Sequence, residues 1–179
     1  DADGTAPFKY FATYETTSVE DLADPKYMEL LKDQSDWSKK VMATFTRFER
    51  ITADITIDLA HGFGGGCSIA WFNPKVDVMD GLRDYLRDEL LEQIVQTPGI
   101  VGAFLAENNL EVANEGRRAQ GIAIPEGETS SWIIIIEAQD SVTSSRSLNS
   151  LSANGLPKFS LKSSEISLGS YNLIFGNNR

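Results

Sequence analysis

The sequence is poor in the residues that bind metals and form cross-links. It has one cysteine, Cys67, and one histidine, His61, among 179 residues. An intrachain disulfide is therefore impossible, and a cysteine-based zinc site would need ligands from elsewhere. We expect no metal ion and no cofactor. The absence of paired cysteines also favours the cytoplasm as the compartment.

Long apolar runs and excess positive charge are also missing. The longest apolar run, 132–136, has the length of a strand, whereas a membrane-spanning helix needs about 20 apolar residues. Sixteen basic side chains stand against 26 acidic ones, for a net charge of −10. Such a charge repels phosphate backbones and anionic lipid surfaces. We therefore expect neither nucleic acid nor a membrane as a partner.

The second part of the chain contains a regular succession of strand and helix patterns. From residue 67 the predicted order is strand, helix, strand, strand, helix, strand, which is the split βαβ order of a ferredoxin-like unit. Its first helix covers 76–96, where apolar residues recur mostly every four positions. The charged residues of that helix, Arg83 among them, are interpreted as a solvated face, and the polar stretch 108–129 as a long connection. We predict a complete ferredoxin-like repeat over 67–179.

The first 60 residues predict the second half of the same unit. Strands are expected at 8–16 and 51–59, with helices between them, and the glycine-rich stretch 61–66 is interpreted as a connector. The predicted fold class is therefore α+β, with duplicated ferredoxin-like units whose antiparallel sheets face each other in an α+β barrel. We expect the first repeat, 1–60, to be incomplete. We expect an upstream segment or a second polypeptide to supply a strand next to 51–59.

One apolar stripe lies within these first 60 residues. Trp37, Val41 and Phe45 recur at intervals of four, and Phe48 follows three positions later. This spacing places side chains on one side of a helix and is typical of a side that packs in a core. The stripe is therefore predicted to be buried.

Three short motifs carry a resemblance to a known family. They are the strand pattern Phe8–Glu15 followed by 19–22 and 24–27, the helix start 35–37, and the helix 85–90 that runs to 97–99. In these motifs the chain resembles the EthD-like branch of the dimeric α+β barrel superfamily. The family's strand leads into a Leu-x-x-Pro-x-Tyr helix, and a second helix carries Glu-His before a Val-Pro-Gly turn.

The resemblance implies a protein that handles small organic ligands. Members are commonly cofactor-independent isomerases, cyclases, dehydratases or monooxygenases acting on aromatic or polyketide-like compounds. The family's helical Glu-His pair falls on Glu89 and Leu90, so the acid is present here and the base is absent. The alternative is a non-catalytic binding or assembly protein that kept the fold after losing this histidine. Either protein is expected to be a homo-oligomer.

Two side chains are the candidate catalytic residues. Glu89 follows from the resemblance, and His61 is the only side chain whose unperturbed pKa lies near neutrality. The alternative for His61 is an ordinary surface residue beside a glycine-rich loop. A Glu89 that faces a closed pocket would support catalysis, whereas an exposed Glu89 would favour the non-catalytic alternative.

Five aromatic residues are the candidate ligand-binding residues, because they fall on predicted strands. A sheet face that no helix covers would present them to a cavity for a small organic ligand. The alternative is that they pack in the core or between sheets. The five residues are Tyr10, Tyr14, Trp71, Trp132 and Tyr171.

Overall fold

The computed structural model describes residues 1–176 and contains one five-stranded sheet in that range. The strands lie in the order β1-β3-β4-β2-β5, and neighbouring strands run antiparallel. Strands β2 to β5 therefore have the strand order of a ferredoxin-like unit, and the predicted α+β, ferredoxin-like class is confirmed. The strands are β1 (Ala53–Asp58), β2 (Gly66–Phe72), β3 (Ile100–Asn108), β4 (Trp132–Ala138) and β5 (Ser167–Asn172).

Six α-helices accompany the sheet in the described range. A π-helical turn, Leu86–Leu90, joins α3 to α4, so that the predicted helix over 76–96 is formed with one wide turn in it. The helices are α1 (Pro25–Lys32), α2 (Asp36–Met42), α3 (Met79–Tyr85), α4 (Leu91–Val95), α5 (Leu110–Gln120) and α6 (Ser141–Asn154). Shorter 3-10 turns occupy Val19–Ala23, Val76–Val78, Leu156–Phe159 and Ser163–Glu165. No helix in the described range is both long and apolar enough to cross a membrane.

The chain forms two compact units. One, the sheet unit, comprises Asp1–Ala12, Ile55–Glu107 and residues 131–176. The other, the helical unit, comprises Thr13–Asp54 and Asn108–Ser130 and includes α1, α2 and α5.

The core of the sheet unit lies between the sheet and its helices. Alternate residues of β2 and β4 face the helices, since side chains along a strand point to opposite sides in turn. Phe72, Trp132 and Ile134 are among them, and each is at most 2% exposed. From the helices, Leu82 and Leu148 pack into the same cluster. Each such side chain stabilises the fold by about 1.5–3 kcal/mol.

Helix α6 approaches β2 so closely that a side chain at Gly66 has no room. A Cβ added there would lie 2.5 Å from the backbone nitrogen of Ser141. We expect Gly66→Ala to lower the free energy of unfolding by about 1–3 kcal/mol, because backbone must shift to admit the methyl group. Gly62→Ala is the matched control, since its added Cβ would meet Val101 at an ordinary 3.6 Å. Urea unfolding that shows equal effects of the two changes would contradict this account.

The beginning of the chain differs from the prediction. Residues 8–16 form no strand, because Phe8 and Phe11 instead pack against side chains of the sheet unit. Strand β1 lies at the edge of the sheet, where β3 pairs with it inside the same chain. The facing sheet of the predicted barrel is not formed within residues 1–176. The division into a partial repeat 1–60, a connector and a repeat 67–179 stays a prediction.

The connection expected at 108–129 contains a helix. The side chain of Asn109 accepts a hydrogen bond from the backbone of Val112 and caps the start of α5. Gly121, with φ of 69°, ends it in the left-handed conformation. The prediction missed this helix because only Val112 within it is buried, so the apolar periodicity is weak.

The predicted apolar stripe is exposed, not buried. Trp37, Phe45 and Phe48 are 73%, 46% and 57% exposed, although the rings of Phe45 and Phe48 stack at 5.8 Å. Helix α2 ends at Met42, so the two phenylalanines lie beyond it and do not extend its apolar side. The spacing of these residues is helical, but α2 is too short to include all of them.

Candidate ligand-binding site

Trp132 is the largest buried side chain of the sheet unit and carries an unmet hydrogen-bond donor. It begins β4, points to the helix side of the sheet and is 0% exposed. Its neighbours across the sheet are Glu107 on β3 and Phe72 on β2, and the Phe72 ring lies 6.3 Å away. Within the described residues its Nε1–H has no acceptor. Burying such a donor without a partner costs about 1–3 kcal/mol.

Arg83 of α3 lies over the Trp132 ring, with its Cζ 5.2 Å from the ring centroid. Its Nε and Nη2 donate to the two carboxylate oxygens of Glu107 at 2.6 and 2.7 Å, and its Nη1 donates to Asp80 at 2.9 Å. The hydroxyl of Thr56 donates to Glu107 Oε1 at 2.5 Å. The side chain of Arg83 is 29% exposed and that of Glu107 13%. The guanidinium therefore lies between the indole and solvent.

The positive charge of Arg83 is already compensated by the carboxylates of Glu107 and Asp80. The hydrogen bonds that Arg83 donates to Glu107 raise the pKa of Arg83, so that the guanidinium stays ionised, and Asp80 adds to the same effect. An anionic ligand would meet no uncompensated positive charge. The group still without a partner is the neutral N–H of Trp132. The cluster is therefore suited to a neutral molecule with an acceptor oxygen.

Trp71 and Tyr171 lie on the other side of the sheet, where the N-terminal segment covers them. The ring of Phe8 stacks on Trp71 at 6.1 Å, and the ring of Phe11 lies 5.6 Å from Tyr171. The hydroxyl of Tyr171 donates to the backbone oxygen of Phe8 at 3.2 Å. The ring faces that were expected to meet a ligand are thus occupied by the chain itself.

Tyr10 and Tyr14 lie outside the sheet, in the irregular segment 8–16, and are 65% and 91% exposed. The structure therefore distributes the five aromatic candidates over three environments. Trp132 alone combines full burial with an unmet hydrogen-bonding group.

The two candidate catalytic residues are both exposed. Glu89 belongs to the π-helical turn, near Lys158 and Tyr85. A hydrogen bond from Lys158 to the Tyr85 hydroxyl, 2.9 Å long, raises the pKa of Lys158, and Glu89 contributes more weakly. His61 follows β1, and its backbone N–H donates to the carbonyl of Val101 at 2.9 Å. No cluster of three His, Cys, Asp or Glu side chains is positioned for a metal ion in the described range.

Cys67 is half-buried on β2, between Glu137 of β4 and Tyr171 of β5. Burial, with a smaller contribution from Glu137, raises the pKa of its thiol from 9.0 to about 11. As the pH rises, the thiol therefore loses its proton in the unfolded chain before it does so in the folded chain. The contribution of the buried thiol to the free energy of unfolding is fully present below pH 9 and is lost as the pH rises towards 11. We expect Cys67→Ala to make the fall in the free energy of unfolding over this range shallower in urea titrations. If Cys67→Ala left the fall in the free energy of unfolding between pH 9 and pH 11 unchanged, the burial of the thiol would be contradicted.

Arg83 and Glu107 were missed by the sequence analysis. Arg83 was assigned to a solvated helix face, and Glu107 lies 24 positions away on a strand. One signal was available, because Arg83 follows Leu82, an apolar residue of the four-residue spacing in the helix predicted over 76–96, and so borders the buried side of that helix. Nothing in the sequence pairs the two residues, since their contact depends on how α3 crosses the sheet.

Two surface grooves lie elsewhere in the molecule. One, of about 350 Å³, lies along α1 beside Leu30. The other, of about 370 Å³, lies between Ala2 and the α6 residues Ser145 and Arg146. Neither groove is lined by a candidate residue, nor by Arg83 or Glu107.

Comparison with known proteins identifies similarities of fold alone. No family model matches the sequence, and no curated protein matches it significantly. One similar solved structure is a ferredoxin-fold protein from Listeria monocytogenes, described as related to antibiotic biosynthesis monooxygenases. It is 12% identical with a TM-score of 0.42, over 78% of this chain and 89% of that chain. A heme-degrading enzyme from the same species is 12% identical with a TM-score of 0.40, over 78% and 94%.

Proposed function

We propose that the protein binds a small, neutral, largely apolar organic molecule through the indole N–H of Trp132, without acid–base catalysis. The observation that carries this proposal is a fully buried donor that has no acceptor among residues 1–176 and lies in the apolar core beside Phe72. A bound carbonyl or hydroxyl oxygen would satisfy that donor. Aromatic and polyketide-like compounds have both the apolar body and the oxygen that this surrounding requires.

The proposal favours binding over catalysis because of where the ionisable candidates lie. Glu89 and His61 are both exposed, so neither is positioned to exchange a proton with a molecule at Trp132. Glu107 does face the cluster, but its carboxylate is held by Arg83 and Thr56. We retain the resemblance to the EthD-like branch, a homo-oligomeric state and a cytoplasmic location as parts of the proposal.

Access to the indole is controlled by the ion pair between Arg83 and Glu107. Arg83 covers the ring and remains partly exposed, so its displacement opens the shortest route from solvent. We therefore expect the Arg83→Ala variant to bind the ligand with a higher association rate than the unmodified protein.

Calorimetric titration tests the proposal with a pair of matched probes. Acetophenone carries a carbonyl oxygen, whereas α-methylstyrene has nearly the same shape and no acceptor. We expect acetophenone to bind at least about tenfold more tightly, as a satisfied buried donor implies. Trp132→Phe should abolish that preference, and Trp71→Phe should keep it. Equal binding of both probes by the unmodified protein would contradict the proposal.

A further inference from the structure

The helical unit exposes more large apolar side chains than it buries. Eight of them are at least 39% exposed, whereas only Val19, Met28 and Val112 are buried. Apolar patches on the surface mark interaction sites in soluble proteins. Two of these side chains, Phe45 and Phe48, stack on each other at 5.8 Å. The eight are Tyr14, Leu30, Trp37, Met42, Phe45, Phe48, Ile122 and Ile124.

The segment 36–50 concentrates this exposed surface. From residue 42 to residue 50 every side chain is exposed, and only Ser38 and Val41 before them are half-buried. Three aromatic rings lie in this segment, at Trp37, Phe45 and Phe48. Aromatic side chains of this kind are the typical anchors of protein–protein interfaces.

The charge of this segment is opposite to that of the chain. Residues 36–50 contain four basic and two acidic side chains, a local charge of +2 in a chain of −10. The basic residues are Lys39, Lys40, Arg47 and Arg50. Their partners are mostly at the surface, since Lys39 lies 4.0 Å from Asp33 and Arg47 lies 3.2 Å from Glu49, all of them well exposed. They remain accessible to a partner.

A complementary acidic segment lies in the same unit. Residues 15–24 contain Glu15, Glu20, Asp21 and Asp24 and no basic residue. A two-fold symmetric contact pairs one surface patch with a second patch, and the second with the first. Each copy therefore carries both the basic segment and the acidic segment that a two-fold dimer brings together.

We infer that the helical unit is a dimerisation surface, on which segment 36–50 of one copy packs beside segment 15–24 of a second copy. The aromatic side chains supply the buried centre of the contact, and the charges at its rim fix its orientation. This inference does not depend on a ligand at Trp132. An anionic lipid surface would also suit aromatic and basic side chains, but the acidic segment of the same unit would oppose it.

Sedimentation equilibrium across a dilution series tests the aromatic part of the contact. We expect a dimer whose dissociation constant rises at least about tenfold in Trp37→Ala and in Phe45→Ala. Phe63→Ala is the control, because Phe63 is 69% exposed but belongs to the sheet unit. A monomer at every concentration, or equal effects of all three changes, would overturn the inference.

Charge reversal tests the pairing of the two segments. Lys39→Glu with Lys40→Glu makes both segments acidic, and Glu15→Lys, Thr17→Lys and Glu20→Lys together make both basic. Each of these two variants alone should be monomeric through repulsion, whereas an equimolar mixture should form a dimer, because the opposite charges then meet at both rims. Circular dichroism checks that each variant is folded. A mixture that stays monomeric, or monomeric protein that sediments with phosphatidylserine vesicles, would overturn the proposed pairing.

Discussion

Trp132→Ala is expected to lower the free energy of unfolding by about 3–5 kcal/mol, the range for removing a fully buried aromatic side chain. The change removes contacts with Phe72 and leaves a cavity between the sheet and α3. It also deprives the Arg83 guanidinium of the ring beneath it. Urea unfolding followed by circular dichroism measures the effect.

Trp132→Phe and Phe63→Ala are the matched controls for this result. Phenylalanine keeps an apolar ring and removes an N–H without an acceptor, so it should cost clearly less than alanine at the same position. Phe63 is exposed, and its replacement should change the free energy of unfolding by about 0.5 kcal/mol or less. A loss in Trp132→Phe as large as in Trp132→Ala would show that the indole N–H is paired.

Glu107→Ala is expected to cost about 1–3 kcal/mol, because it leaves the Arg83 guanidinium partly buried without its bidentate partner. Removing one member of a fully buried pair costs about 3–5 kcal/mol, and the exposed fractions of 13% and 29% place this pair below that range. Thr56 loses its acceptor as well. Chemical denaturation of the single variant provides the measurement.

A double variant and a surface variant separate the causes. Arg83→Met with Glu107→Leu should recover most of the loss, since no buried charge then remains. Arg87→Ala should have an effect within about 0.5 kcal/mol, because its ion-pair partners Asp84 and Asp88 are both exposed. If the double variant were as unstable as Glu107→Ala, the loss would come from packing and not from charge.

The sheet region was predictable because its patterns are local. Alternation and apolar runs located β2, β3, β4 and β5, and their order alone identified the ferredoxin-like unit. The long helix was predicted from its four-residue spacing, which its π-helical turn interrupts without ending it. These features depend on neighbours in the sequence.

The predictions failed where contacts between residues far apart in the sequence determine the structure. The segment 8–16 has the composition of a strand, but Phe8 and Phe11 find partners on Trp71 and Tyr171, so the segment packs on the sheet without joining it. Periodicity around Trp37 predicts burial, but it does not reveal that α2 ends at Met42.

The candidate site was only half accessible to sequence reasoning. Trp132 was identified as an aromatic residue of a buried strand, which is a local property. The contact between Arg83 and Glu107, which compensates the positive charge of the guanidinium, joins two elements through the tertiary fold. Composition and spacing therefore predicted Trp132 as a site residue, but not the pair of Arg83 and Glu107 that covers its ring.

The most direct test of the account is the nuclear magnetic resonance signal of the Trp132 indole N–H. The chain has three tryptophans, so a ¹⁵N-labelled sample gives three indole signals, which Trp37→Phe, Trp71→Phe and Trp132→Phe assign. On titration with acetophenone we expect the Trp132 signal to move downfield as its hydrogen bond forms, while the Trp37 and Trp71 signals stay in place. With α-methylstyrene the Trp132 signal should not move downfield. A Trp132 signal unaffected by saturating acetophenone would contradict the account.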